Sequence, residues 1–202
     1  MLALYHYSTV LHLPFILHAG ALEPSRADAH GGGHRGVLWF TTNSRLEATV
    51  AKKTLGAIRP PYIRWAVAAP SSLRWPAIGR AAGYGATTIR GLERAGRAMG
   101  GVPSEWWGQL GPLGLENTRA LEILYAGRWL RLDPRGLAVQ DVAGRYGPML
   151  RLTDHGERVV DVGRVRHESG EWAYLANTAT ARFDRLEDRA RAINLAERAL
   201  AS

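Results

Sequence analysis

Residues 4–25, LYHYSTVLHLPFILHAGALEPS, and residues 36–43, GVLWFTTN, decide how this chain is read. The first stretch opens as a strand. Over residues 2–8 the side chains alternate, with Leu4, His6 and Ser8 on one face and Ala3, Tyr5 and Tyr7 on the other. Pro14 then suits the first turn of a short helix, where its missing N–H costs no hydrogen bond. That helix is predicted to bury Leu13, Ile16 and Leu17 and to stop at Gly20, a residue that tolerates a left-handed cap. A polar loop follows at 25–36. Residues 37–42 read as a second strand, and Asn43 or Ser44 as the cap of a helix running to about residue 55.

Outward from this stretch the pattern stays mixed. A third strand is expected at 62–69, after the Pro60-Pro61 break. A helix near 87–99 sets Ile89, Leu92 and Met99 against Arg90, Arg94 and Arg97 on its other side. Residues 100–118 are rich in Gly and Pro and read as a long shaped loop carrying Trp106 and Trp107. Residues 119–125 read as a strand with Leu121, Ile123 and Tyr125 facing one way and Ala120, Glu122 and Leu124 the other. The turn at 133–136 is the predicted boundary between a domain at 1–133 and a smaller one at 137–202. In the latter, strands near 149–153, 158–167 and 171–176 precede an amphipathic helix at about 184–200. The expected class is α+β, with a split mixed or antiparallel sheet as core and a small sheet-plus-helix appendage.

Composition narrows the function. At 46% hydrophobic and 22% charged, the 202-residue chain is neither collagen-like, disordered nor a coiled coil. It contains no cysteine, which excludes a disulfide scaffold, a thiolate zinc site and a cysteine nucleophile. The opening residues lack a basic segment followed by an apolar core, and no apolar run approaches the ~18 residues that span a bilayer. A cytoplasmic protein without membrane contact is therefore expected. The formal charge is +8, and +7 of it falls in residues 1–133, where 15 basic side chains face 8 acidic ones. Lys52 and Lys53 are the only lysines. Such a surface suits an anionic partner such as nucleic acid or a phosphorylated cofactor. An arginine-rich coding bias accounts for the number equally well. In the 137–202 segment, Arg158, Arg164 and Arg166 alternate on one strand face, which suits either phosphate contacts or, as the near-neutral charge there favours, a solvated surface paired with Glu157, Glu168 and Glu171.

Several familiar signatures fail. HGGG at 30–33 lacks the G-x-S-x-G that would supply an esterase nucleophile. His30 and His34 are four apart, but the glycines between them rule against a helical zinc pair, and no metal is expected. Neither a Walker loop nor a dinucleotide GxGxxG fingerprint is present.

What remains is an ordered set: LYHYS on the first strand, LWFTT on the second, EATVAK on the helix after it, and LEIL on a late strand. In this set the chain resembles the ADP-ribosyltransferase superfamily. The likeness is to the branch with histidine on the first strand, which includes diphtheria-toxin-like enzymes, poly(ADP-ribose) polymerases and DNA-targeting toxins. It covers residues 1–133 and implies a sheet core of that type with NAD as co-substrate. It implies that His6 and Ser8 bond the adenosine ribose and that the Tyr7 backbone holds the nicotinamide carboxamide. Trp39 or Phe40 would lie where related enzymes place aromatics around the nicotinamide pocket, Thr41 would join the cofactor-binding residues, Thr49 would add a hydroxyl, and Glu122 would be the catalytic glutamate. The loop with Trp106 and Trp107 would recognise the target. Two positions depart from the family pattern: the second motif lacks a tyrosine, and Ala120 stands where arginine-modifying members carry Gln or Glu.

The chemistry explains these residue types. Cleaving the nicotinamide–ribose bond creates an oxocarbenium-like cation, as glycoside cleavage does. A carboxylate can hold the ribose and stabilise that charge, and flat apolar walls can grip the leaving group. The implied activity is transfer of ADP-ribose to a nucleic-acid or protein acceptor that is not an arginine side chain. The alternatives are an NAD-dependent RNA 2′-phosphotransferase and a catalytically inactive basic nucleic-acid-binding module. Taken one at a time, His6, Glu122, Trp39, Phe40 and Thr49 also suit plain structural positions, and the two tryptophans either stack a base or pack under their loop.

Overall fold

The computed structural model describes residues 2–25, 34–51, 61–140, 146–154, 158–166, 172–178 and 181–182. The elements begin with β1 (Leu4–Thr9), α1 (Leu13–Ala19), β2 (Ala21–Leu22), β3 (Leu38–Thr41) and α2 (Ala48–Ala51). Next come β4 (Tyr62–Val67), β5 (Leu73–Arg74), α3 (Ala77–Ala81), α4 (Ala86–Ala98), β6 (Trp106–Gln109) and β7 (Leu113–Gly114). The hairpin β8 (Thr118–Tyr125) and β9 (Arg128–Leu132) follows. The chain continues through β10 (Ala138–Gln140), β11 (Tyr146–Asp154), β12 (Arg158–Arg166), β13 (Trp172–Thr178) and β14 (Ala181–Arg182). The class is α+β with mostly antiparallel sheet. The strand orders are β5-β6-β3-β1-β4-β8-β9, β10-β11-β12-β13-β14, and β2-β7. The chain divides into two compact units, each made of three separate segments.

The first unit comprises Met1–Tyr7, Ala21–Leu55 and Trp65–Arg119. Its core gathers Val37, Trp75, Ile78, Ala82, Tyr84 and Ile89, with Trp39, Trp106 and Leu110 packed against them. Residues 100–118 are not a loop: they form β6, β7 and two 3₁₀ turns. Gly101 and Gly108 serve close packing, since a Cβ on Gly108 would sit 2.6 Å from Val37 Cγ1 and one on Gly101 2.8 Å from Thr49 Cγ2. In α4, Ile89 and Gly96 are buried but Leu92 is 40% exposed, contrary to the expected apolar side. The inward place goes to Glu93, whose carboxylate accepts from Trp75 Nε1 at 2.9 Å. Gly96 lies under the Trp106 ring, and a Cβ there would collide with it. The helix expected from Asn43 starts only at Ala48, because Asn43 Oδ1 closes a local turn on Arg45 N–H at 3.0 Å. Its expected end at 52–55 lies outside the described residues, as do residues 26–33 of the polar loop.

The second unit comprises Ser8–Gly20, Gly56–Arg64 and Ala120–Ser202. As the sequence predicts, α1 carries Pro14 in its first turn and stops at Gly20, whose φ of 65° is left-handed. Its buried residues are Leu13 and Pro14, following buried Val10 and Leu11, while Ile16 and Leu17 are only half-buried. Helix α1 packs on β10, β11 and β12. The sheet of this unit has two short flanking strands, β10 and β14, beyond the three expected. Leu121 and Ile123 of β8 are fully buried and Glu122 is not, which is the predicted alternation. Asp133 accepts from Arg135 N–H at 3.0 Å and opens the turn Pro134–Gly136. The helix expected at 184–200 lies outside the described residues.

Candidate functional site

Within the first unit, strand register sorts the candidate side chains onto two faces. Antiparallel pairing sets Tyr5 opposite Thr41, Phe40 opposite Trp107, Thr41 opposite Trp106 and Arg74 opposite Trp107. Paired residues share a face and successive ones alternate. One face thus carries His6, Phe40, Trp107 and Arg74 in a row across β1, β3, β6 and β5. The other carries Tyr5, Tyr7, Trp39, Thr41 and Trp106, and against it lies the aromatic core.

His6 is half-buried and edge-on to Phe40, with ring centroids 6.4 Å apart. Its Nδ1 lies 2.9 Å from the Trp39 carbonyl oxygen. A carbonyl can only accept, so Nδ1 carries the proton and Nε2 keeps its lone pair in the neutral ring. Burial lowers the His6 pKa from 6.5, and the bond to Trp39 opposes that shift in part. Near neutral pH, His6 is therefore an oriented acceptor through Nε2.

The other face is committed differently. Tyr7 is 7% exposed and its hydroxyl donates to the Asn43 carbonyl at 2.6 Å. Glu47 is 5% exposed and receives three donors: Thr41 Oγ1 at 3.4 Å, Thr49 Oγ1 at 3.3 Å and Trp106 Nε1 at 3.4 Å. The hydroxyls of Thr41 and Thr49 thus serve an internal carboxylate. Trp106 stacks edge-on with Trp75 at 5.9 Å, and Trp39 lies 5.6 Å from Trp75. Of the two expected recognition tryptophans, Trp106 is a packing residue and Trp107 belongs to the His6 row. Arg74 of that row donates to the Ser104 carbonyl through Nε and Nη2.

Ser8 and Glu122 belong to the second unit. Ser8 is half-buried. Glu122 Oε2 accepts from Arg64 Nε at 2.6 Å, with side-chain exposures of 20% and 11%. The Arg64 guanidinium in turn sits 4.3 Å over the Trp129 ring. A carboxylate so held is oriented and charge-compensated. Sequence reasoning missed Arg64, Trp129 and Glu47. A charged residue between Ile63 and Trp65 in an otherwise apolar strand was the available signal for Arg64.

Among the described residues, no cluster of His, Asp and Glu could hold a metal, and no helix is long and apolar enough to cross a membrane. Compared with protein-family models, with curated proteins and with solved structures, the chain matches none.

Proposed function

We propose that the chain is an NAD-dependent ADP-ribosyltransferase. In the reaction, the bond from ribose C1′ to the nicotinamide nitrogen breaks, a bond from C1′ to a nucleophilic atom of the acceptor forms, and the acceptor's proton is released. One observation carries the reading: His6 is locked by the Trp39 carbonyl so that Nε2 is left as an acceptor, on a sheet face shared with Phe40 and Trp107. A ribose hydroxyl has the donor such a nitrogen requires, and aromatic faces suit a nicotinamide or adenine ring. The resemblance assigns Glu122 the role of the carboxylate that stabilises the developing cation. In this reading Arg64 is a positioning residue that holds the carboxylate in one orientation.

The test uses NAD labelled in its adenosine half. The expected result is release of nicotinamide and label on a macromolecular acceptor, with a fall of roughly 10²–10³ in turnover for Glu122→Gln. Absence of nicotinamide release, or a fully active Glu122→Gln protein, overturns the proposal.

The Arg64–Glu122 pair favours one competing reading, a non-catalytic member in which this pair is purely structural. Under it, Glu122→Gln lowers stability by up to about 3 kcal/mol, because Arg64 loses its counter-charge. NAD is then bound without being cleaved or not bound at all.

A further inference from the structure

Helix α4 carries three exposed arginines, Arg90, Arg94 and Arg97, against one inward-turned carboxylate, and we infer that this helix face binds the phosphate backbone of a nucleic acid. This goes beyond the transferase reading and stands apart from it, since binding is read without NAD. Eight arginines of the first unit are exposed among its described residues, including Arg80, Arg90, Arg94 and Arg97. The five described glutamates of that unit do not balance them. Glu47 is buried under Trp106, Glu93 is turned inward onto Trp75, and Glu105 has a buried Oε2, leaving only Glu23 and Glu116 exposed.

On α4 the withdrawal is complete. Its single carboxylate, Glu93, accepts from the Trp75 indole. Arg90, Arg94 and Arg97 recur at four and three residues, the spacing of one helix face. They span about 10 Å along the axis, room for separate contacts to phosphates about 3.4 Å apart per strand. Among the described residues no carboxylate pairs with any of the three, and Arg90 only touches Thr87 Oγ1 at 3.5 Å. Two features select nucleic acid over other anionic partners. The cations are guanidinium forks, which match phosphate oxygens two at a time. The outer side of α4 shows one large apolar residue, Leu92, whereas a membrane-surface helix needs an apolar face.

The experiment is fluorescence anisotropy of a labelled DNA duplex of ~20 base pairs with the full chain, from about 25 to about 200 mM NaCl. The expected result is salt-sensitive binding whose log–log slope flattens by about 2–3 in Arg90→Gln/Arg94→Gln/Arg97→Gln. The control Arg128→Gln/Arg131→Gln/Arg135→Gln removes the same charge from exposed positions of the second unit and keeps the parent slope. Circular dichroism checks the fold. Should the triple variant unfold, Arg94→Gln alone is expected to flatten the slope by about 1, and Arg94→Lys to preserve it. Equal slopes in the two triple variants overturn the assignment. So does a parent protein that ignores the duplex at low salt, or that binds anionic vesicles and not DNA.

Discussion

A histidine whose ring is fixed by a backbone carbonyl makes a measurable demand on the pH dependence of stability. Well above pH 6.5 His6 is neutral in both the folded and the unfolded chain and adds no slope. As the pH drops below 6.5, the unfolded chain takes up the proton first, because burial depresses the folded pKa. Stability is therefore lost from about pH 6.5 down to the folded value and is level below it. His6→Asn keeps a donor near the Trp39 carbonyl and cannot titrate. Its urea midpoint is expected to fall less than the parent's between about pH 7.5 and pH 5. An equal fall in both proteins would assign the slope to other groups. His6 and Glu122 were legible as chemical types on alternating strands. Their partners were not. Arg64 lies 58 positions from Glu122, and the capture of Thr41 and Thr49 by Glu47 is a property of folded geometry that spacing does not carry.

The β8–β9 hairpin turns through Ala126 and Gly127, with φ of 47° and 77°. Two successive left-handed residues suit a two-residue hairpin, which favours Asn-Gly or Asp-Gly and is seldom signalled by Ala-Gly. This is why β9 was not anticipated while β8 was. An alanine in that region costs roughly 1–2 kcal/mol, against about 0.4–1 kcal/mol of extra unfolded-state freedom on changing it to glycine. Ala126→Gly is thus expected to stabilise by up to about 1 kcal/mol, read as a higher urea midpoint at constant m-value. A lower midpoint would show that the turn is not strained. Reading α4 shows the converse limit. Its helical period was plain, yet which side faces inward depended on Trp75 reaching Glu93 and Trp106 lying on Gly96. Residues 100–118 misled for a related reason, because glycines needed for close approach look the same in sequence as glycines needed for turns.

Across the whole molecule, α1 offers the sharpest test. It follows β1 in sequence but packs on β10, β11 and β12, more than a hundred residues later. A fragment of residues 1–133 would expose Val10, Leu11 and Leu13, all essentially inaccessible in the intact chain. Uncovering three such side chains costs about 5–9 kcal/mol, comparable to the ~5–15 kcal/mol that holds a domain folded. The fragment is expected to aggregate on gel filtration and to lose amide-exchange protection over Leu13–Ala19. A monodisperse fragment with a protected helix would mean that α1 finds other cover. The α+β class itself was readable, since it rests on local alternation and helical period. Long-range pairing such as that of α1 leaves no local trace.

That interleaving has a consequence for how such a protein can change over generations. Because each unit is stitched from three stretches of chain, neither corresponds to one uninterrupted run of codons. A recombination event that moved either unit whole would have to carry stretches of the other with it. A whole unit therefore cannot be inherited, lost or grafted elsewhere as a single cassette.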